Sequence, residues 1–257
     1  MLRLNIYPQL WVILVVLSVS ARAQEAAEPE VLPDFGSITD VNEKKEQFFD
    51  FLNPLIQVNN ERIATERAWL LQMQARASSD VPFTDWQYNL LTELGAYYRV
   101  DEEPGSESYF SEMLLRVDTL PASMVLAQAA NESAWGTSRF ALEGNNLFGQ
   151  WCFVEGCGLV PNSRPEGERY EVRLFESVEG SVEGYFQNIN THFQYADMRL
   201  MRAELRMLGE PLSSEDLMWA LDGYSIRGVE YVREVLQMIR FNELQRFDVP
   251  AFYASNL

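Results

Sequence analysis

Leu126-Ala-Gln-Ala-Ala-Asn-Glu-Ser-Ala-Trp-Gly-Thr-Ser-Arg-Phe140, closed by Gly144-Asn-Asn-Leu-Phe-Gly-Gln150, reads as a small-residue helix that ends on a carboxylate. Val125, Leu126, Ala127, Ala129 and Ala130 make an apolar run that ordinarily continues apolar or stops at glycine. Glu132 stands where the core face should run out. Placed against Trp135, Phe140, Leu147 and Phe148, its carboxyl would be desolvated, which disfavours the charged form and raises the pKa toward the range of a general acid. On residue type alone, a solvated glutamate near a helix end is the commoner outcome, because glutamate prefers surfaces.

The whole stretch is more specific than any one residue. Asn131-Glu-Ser-Ala-Trp-Gly136 followed by Gly144-Asn-Asn-Leu-Phe-Gly149 resembles the signature of the bacterial N-acetylglucosaminidases of glycoside hydrolase family 73. Trp151-Cys-Phe-Val-Glu-Gly-Cys-Gly-Leu-Val-Pro161, Arg164-Pro-Glu-Gly167 and Tyr170-Glu-Val-Arg-Leu-Phe175 are similar to the Bax-like branch of that family. The resemblance covers roughly Ser106 to Phe247. It implies a mainly α, lysozyme-like α+β domain with a small β-hairpin lobe, cleaving the β-1,4 bond of peptidoglycan glycan strands after N-acetylglucosamine. It also implies that the helix-ending Glu132 is the catalytic acid.

The first residues carry Arg3, an apolar run from Leu10 to Val19, and then Ser20-Ala-Arg-Ala-Gln24, the three-part build of a secretory signal peptide over residues 1–23. The run is shorter than the roughly 20 apolar residues a membrane-spanning helix needs. Export, to the periplasm, makes the two cysteines legible. Cys152 and Cys157 are separated by Phe-Val-Glu-Gly, and an isolated pair in an oxidising space forms a disulfide more often than a metal site. With His192 as the sole histidine, no four-ligand cluster for zinc exists, and no cofactor is expected. Asp+Glu 38 against Lys+Arg 20 gives a net charge of −18 and a pI of about 4.4. Such a field repels nucleic acid and leaves an uncharged glycan as a compatible ligand.

Residues 24–40 are acidic, carry prolines and lack periodicity, which predicts a disordered linker. From Val41 to Ala77, Phe48, Phe49, Leu52, Leu55, Ile56, Ile63, Leu70 and Met73 recur at helical spacing, predicting one long helix bent or broken near Pro54. A second helix over Trp86 to Arg99 completes a helical extension, residues 41–105. The turn cluster Glu102-Glu-Pro-Gly-Ser106 sets a domain boundary there. Residues 106–247 form the catalytic domain and 248–257 a tail. Helices are predicted over Glu107 to Val117, Pro121 to Ser133, Ser138 to Glu143, Val178 to Asn190, Ala196 to Met207, Glu215 to Leu221 and Val229 to Arg246. Trp151 to Phe175, rich in Gly, Pro and β-formers, predicts the hairpin lobe.

Glycoside cleavage needs an acid for the leaving oxygen and a second group for the oxocarbenium face of the sugar. The resemblance implies a cleft-facing carboxylate in the hairpin, with Glu166, Glu168 and Glu171 as candidates. Glu166 is the choice, because Pro165 and Gly167 would fix a projecting tip. The substrate's own N-acetyl group is the alternative nucleophile. Tyr224 precedes the last helix where the family carries an active-site tyrosine motif, although Ser225-Ile226-Arg227 replaces the usual Ala-Thr-Asp. Asn145, Asn146, Phe148, Trp151 and Tyr195 are further candidates for lining the glycan site. The two asparagines either shape the loop through backbone bonds or hold sugar hydroxyls, and a core role competes for both tyrosines. Two other readings stay open: a lytic transglycosylase, which acts with a single glutamate, and a catalytically silent glycan-binding envelope scaffold. Partners of the front helices are not legible.

Overall fold

The computed structural model describes residues 31–162 and 164–248, so the expected signal peptide and most of the expected tail lie outside the described residues. The fold is mainly α and lysozyme-like, with helices α1 (Val41–Ser78), α2 (Asp85–Tyr97), α3 (Glu107–Arg116), α4 (Ala122–Ser133), α5 (Arg139–Gly144), α6 (Val178–Thr191), α7 (Ala196–Leu208), α8 (Ser214–Trp219) and α9 (Val229–Phe241). Strands β1 (Trp151–Cys152), β2 (Gly158–Leu159) and β3 (Glu171–Arg173) form one antiparallel sheet in the order β1-β3-β2. The predicted hairpin is therefore β2 with β3, and Trp151–Cys152 adds a third strand on β3's other edge. No helix among the described residues is long and apolar enough to cross a membrane.

α4 is the axis of the molecule. Every residue from Ala122 to Ala130 is buried, because alanines alternating with Met124, Val125 and Leu126 let other elements approach the helix from all sides. It touches α1, α8, α9 and the turn Leu244–Phe247. Pro121 offers the helix no side-chain cap. The cap comes instead from Asp248, whose carboxylate accepts Ser123 N at 2.8 Å and Ser123 Oγ at 2.7 Å. Asp248, assigned from sequence to the tail, is thus part of the domain: an anion at a helix N-terminus satisfies free amide donors.

α1 runs unbroken through Pro54 for 38 residues. Asp40 caps it by accepting from Asn42 N and Glu43 N. Phe48, Phe49, Leu52, Ile56, Ile63 and Leu70 lie within one turn-spaced stripe and are all buried, each contributing about 1.5–3 kcal/mol. That stripe packs on α3, α4 and α6, so the helical extension shares one core with the catalytic helices. The expected linker also needs correction over residues 31–40. Phe35, in the turn Phe35–Ser37, is fully buried and stands edge-on to Phe48 and Phe51. An acidic, proline-bearing stretch carries no periodicity, yet one aromatic side chain suffices to seat it.

The last helix ends earlier than its pattern predicts. Glu243 adopts φ 52°, breaking α9 after Phe241 and leaving Leu244–Phe247 as a separate turn against α4. Behind the core, Asp118 is 1% exposed and pairs with Arg206 at 2.8 Å, Arg67 at 3.6 Å and Arg202 at 4.0 Å. Arg202 also donates to the carbonyls of Leu115 and Asp118 and to Asn190 Oδ1. Asp118 and Arg202 together thereby tie α1, the end of α3, α6 and α7.

Candidate active site

Three consecutive residues after α4 have left-handed backbone: Ala134 (φ 49°), Trp135 (φ 61°) and Gly136 (φ 73°). Two of them carry side chains, for which this conformation is unfavourable. Ser133 holds the turn. Its hydroxyl donates to Ala129 O at 2.6 Å and accepts Gly136 N at 2.8 Å, while Ser138 N returns to Ser133 O at 2.9 Å. The turn directs Trp135 onto α1, edge-on to Phe48 and Phe49. Trp135 was expected to help desolvate Glu132; its ring serves the core instead.

Glu132 is half-buried at the end of α4. A Cβ added at Gly149, itself in left-handed backbone, would lie 3.5 Å from Glu132 Oε2, so the glycine loop passes close over the carboxyl. Burial pushes the Glu132 carboxyl above its ordinary value, opposed by hydrogen bonds from Tyr231 and Asn131 and by the charge of Arg227. The environment that buries it is made of tyrosines. Tyr231 stacks on Tyr224 with ring centroids 5.5 Å apart, Tyr224 on Tyr195 at 5.9 Å, and Tyr185 lies 6.4 Å from Tyr224. Burial raises the Tyr231 hydroxyl, and the Glu132 charge raises it further, so it remains a proton donor throughout the working range.

A buried hydrogen-bond chain reaches this carboxyl from behind. Tyr185 Oη donates to Gln128 Oε1 at 2.5 Å and Gln128 Nε2 donates to Tyr231 Oη at 3.1 Å, and Tyr231 in turn acts on Glu132 to oppose the rise that burial causes. Neither Gln128, Tyr185 nor Tyr231 was a candidate from sequence. Gln128 did carry a signal: a glutamine four residues before Glu132 in a helix otherwise built of apolar residues is buried, and a buried amide requires partners.

The other candidates separate into loop builders, core residues and open side chains. Asn146 is buried, and its amide makes four bonds: to Gln150 O and Arg173 O as donor, from Phe148 N and Gln150 N as acceptor. Asn145 caps α5 in left-handed backbone and donates to Phe175 O. Both asparagines therefore build the loop and tie it to β3, instead of presenting amides to a sugar. Phe148 is turned inward as well: it is buried and stacked on Tyr185 at 4.2 Å. Tyr195 is 7% exposed. Tyr224 is half-buried and donates to Phe148 O at 3.2 Å, bridging the loop before α9 to the glycine loop. Trp151 is different. It is 55% exposed and stacked face-on to Tyr170 at 4.2 Å, so one broad aromatic face is braced in place.

In the β lobe, Cys152 and Cys157 form a disulfide. Glu171 is buried beside it, accepting Gly156 N at 3.1 Å and Gly158 N at 2.8 Å, and these amides hold its carboxyl below the ordinary value. A carboxylate so engaged shapes the lobe. Glu166 and Glu168 are exposed and border a shallow groove of about 580 Å³ with Arg139, Asn162 and Arg164. The charged side chains acting most strongly on Glu132 are Arg227 and Glu234, neither from the β lobe.

This arrangement of buried helix, terminal glutamate and glycine loop coincides with a family match: residues 108–244 fit the family described as Mannosyl-glycoprotein endo-beta-N-acetylglucosaminidase. The chain belongs to the glucosaminidase family. It is also 31% identical over 229 residues to Protein bax of Escherichia coli (strain K12), covering 89% of this chain and 80% of that protein. No solved structure matches. Glucosaminidase membership points to a peptidoglycan-related glycosidase. The family match begins inside α3, whereas the α1 stripe that completes the core lies before it.

Proposed function

We propose that this glucosaminidase-family chain is an exported, periplasmic peptidoglycan hydrolase that cleaves the β-1,4 glycosidic bond after N-acetylglucosamine, with Glu132 as general acid. The observation that carries the reading is the half-buried Glu132 carboxyl, held above its ordinary value at the end of a rigid helix among tyrosine hydroxyls. An acid of this kind is protonated when a less buried one has ionised, which is the state that delivers a proton to a leaving oxygen. The signal-peptide pattern of residues 1–23 in the sequence and the Cys152–Cys157 disulfide support export.

Trp151 offers the glycan a braced ring face, and Tyr224 borders the acid. Glu166, at the hairpin tip, is the proposed base acting at the far face of the sugar. The substrate's acetamido group is the competing nucleophile. Glu132→Gln should lower cell-wall hydrolysis by two to four orders of magnitude, the scale of general acid catalysis, while leaving the melting temperature nearly unchanged. Mass spectrometry of fragments released from purified peptidoglycan identifies the bond. Activity of the variant within a few-fold of wild type would remove Glu132 from the mechanism, and an anhydro-sugar product would select transglycosylase chemistry.

A further inference from the structure

The β lobe stands apart from the core that the helices share. Its buried Val172 lies outside the hydrophobic cluster that runs from Phe35 to Leu244. β1 is an edge strand of two residues, held to β3 by the pairs Trp151 with Val172 and Cys152 with Glu171. So short a strand is not stable by its own ladder. Other groups fix it. The disulfide ties Cys152 to Cys157, the residue before β2. Glu171, on β3, accepts the amides on either side of Cys157, from Gly156 and Gly158. The two sulfurs and a Glu171 oxygen lie within 4.8 Å of one another. β2 is itself seated tightly, since a Cβ at Gly158 would run into Val172 O. At the other end of β1, the Asn146 amide holds Gln150 through both its N–H and its carbonyl.

Side chains alternate across a strand, so Cys152 and Glu171 share one face of the sheet, and their neighbours Trp151 and Tyr170 share the other. There the two rings stack 13° from parallel, and Arg164 donates to Tyr170 O at 3.1 Å. Tyr170 covers one face of the indole, leaving Trp151 half-exposed on the other. We propose that Cys152, Cys157 and Glu171 are positioning residues for glycan binding: the disulfide and the carboxylate lock β1 onto β3, so that Trp151 presents its open face to a saccharide ring. The inference rests on the reading of Trp151 as a glycan contact. Reduction by a dithiol undoes the lock. The S–S bond takes up two electrons and two protons and becomes two thiols, while the dithiol becomes a disulfide. Freed from Cys157, β1 keeps only its short ladder, and the Trp151 ring loses its fixed orientation. The acid is spared, because Glu132 stands on α4, whose apolar residues belong to the shared core, and Asn146 pins Gln150 between the lobe and Gly149. Thiols stay reduced inside the cell and oxidise outside it, so the platform is completed only after the proposed export.

The test is binding of soluble, uncross-linked peptidoglycan glycan strands to the full chain, oxidised and after reduction with dithiothreitol. Affinity is read by calorimetry with the Glu132→Gln chain, and KM and kcat with the unmodified one. Reduction should raise Kd and KM by about three- to tenfold, the range that one aromatic contact carries. It should leave kcat within about twofold, because the lost contact is one of binding. The double variant Cys152→Ser with Cys157→Ser should behave as the reduced chain. Glu171→Gln, its disulfide intact, should raise KM in the same direction and serves if the cysteine variant fails to fold. In Trp151→Ala the affinity should already be lower, and reduction should lower it no further, since the lock acts through that ring. Affinity unmoved by reduction, with Trp151→Ala weakened, overturns the proposal and leaves Trp151 as a glycan contact. An equal loss on reduction in Trp151→Ala overturns it too, because the disulfide then supports some other contact. So does a fall in kcat at constant KM. Trp151→Ala binding as tightly as wild type removes the platform itself and the proposal with it. Hydrolysis by Glu132→Gln at near wild-type rate would instead overturn the general-acid reading alone, and the affinity comparison would pass to KM.

Discussion

Gly136→Ala tests whether the left-handed turn behind Glu132 is clamped as the packing requires. Gly136 has φ 73°, and a methyl group there would meet Phe35 Cδ2 at 2.7 Å, Phe35 Cε2 at 3.2 Å and Phe48 Cε2 at 3.4 Å. Carbon atoms rest at about 3.5–4.0 Å, so the Phe35 ring must move, although it is fully buried. Overpacking of this kind costs about 1–3 kcal/mol. A side chain in left-handed backbone adds about 1–2 kcal/mol. The sum, about 2–5 kcal/mol, should appear in equilibrium urea unfolding of the full chain as a lower midpoint with unchanged slope. In a Phe35→Leu background the steric part should largely vanish, leaving about 1–2 kcal/mol for the backbone, so the cycle returns a coupling of about 1–3 kcal/mol. The folded variant should also hydrolyse peptidoglycan more slowly, because Ser133 and Glu132 stand on the same turn. Stability within about 0.5 kcal/mol of wild type, the size of an ordinary surface substitution, would show that Phe35 does not seat beneath the turn. Zero coupling with Phe35→Leu would refute the steric argument and leave only the backbone term.

Asp118→Asn should cost about 3–5 kcal/mol in the same assay, because it leaves Arg202 without its carboxylate in the interior. Burial pushes the Asp118 carboxyl up, yet Arg202, Arg206 and Arg67 overcome it and hold it below its ordinary value. A depressed carboxyl stabilises the fold above its unfolded value of about 3.9 and loses that contribution as pH falls through the folded one. Unfolding curves below about pH 4 should therefore be less steep in pH for Asp118→Asn than for wild type; equal slopes would deny the pairing. Among the hairpin glutamates, Glu166→Gln should lower kcat by about a hundredfold or more without changing the melting temperature, and Glu168→Gln should change neither. Glu171→Gln should instead lower the melting temperature, since Gly156 and Gly158 lose a charged acceptor. Equal small losses of activity at all three would leave the hairpin without a second catalytic carboxylate.

Local pattern determined a great deal of this protein. Apolar spacing located α1, the small-residue run identified α4, and the motif around Glu132 pointed to the family that the match over residues 108–244 identifies. Each of these signals lies within one or two helical turns, where residue type and period act directly on backbone conformation. Tertiary structure decided what depends on distant partners. Asparagines in a Gly-Asn-Asn loop can face solvent or backbone, and only the approach of β3 and Phe175 engaged Asn145 and Asn146. Phe35 in an acidic stretch has no periodicity, and only the space beneath Gly136 made it core. Gln128, Tyr185 and Tyr231 lie on three helices and converge because α4 is narrow enough for α6 and α9 to approach it. Sequence thus placed the carboxylate at the end of its helix, while the tyrosines that gather near it come from residues up to about a hundred positions away, where no local period carries a record of the contact.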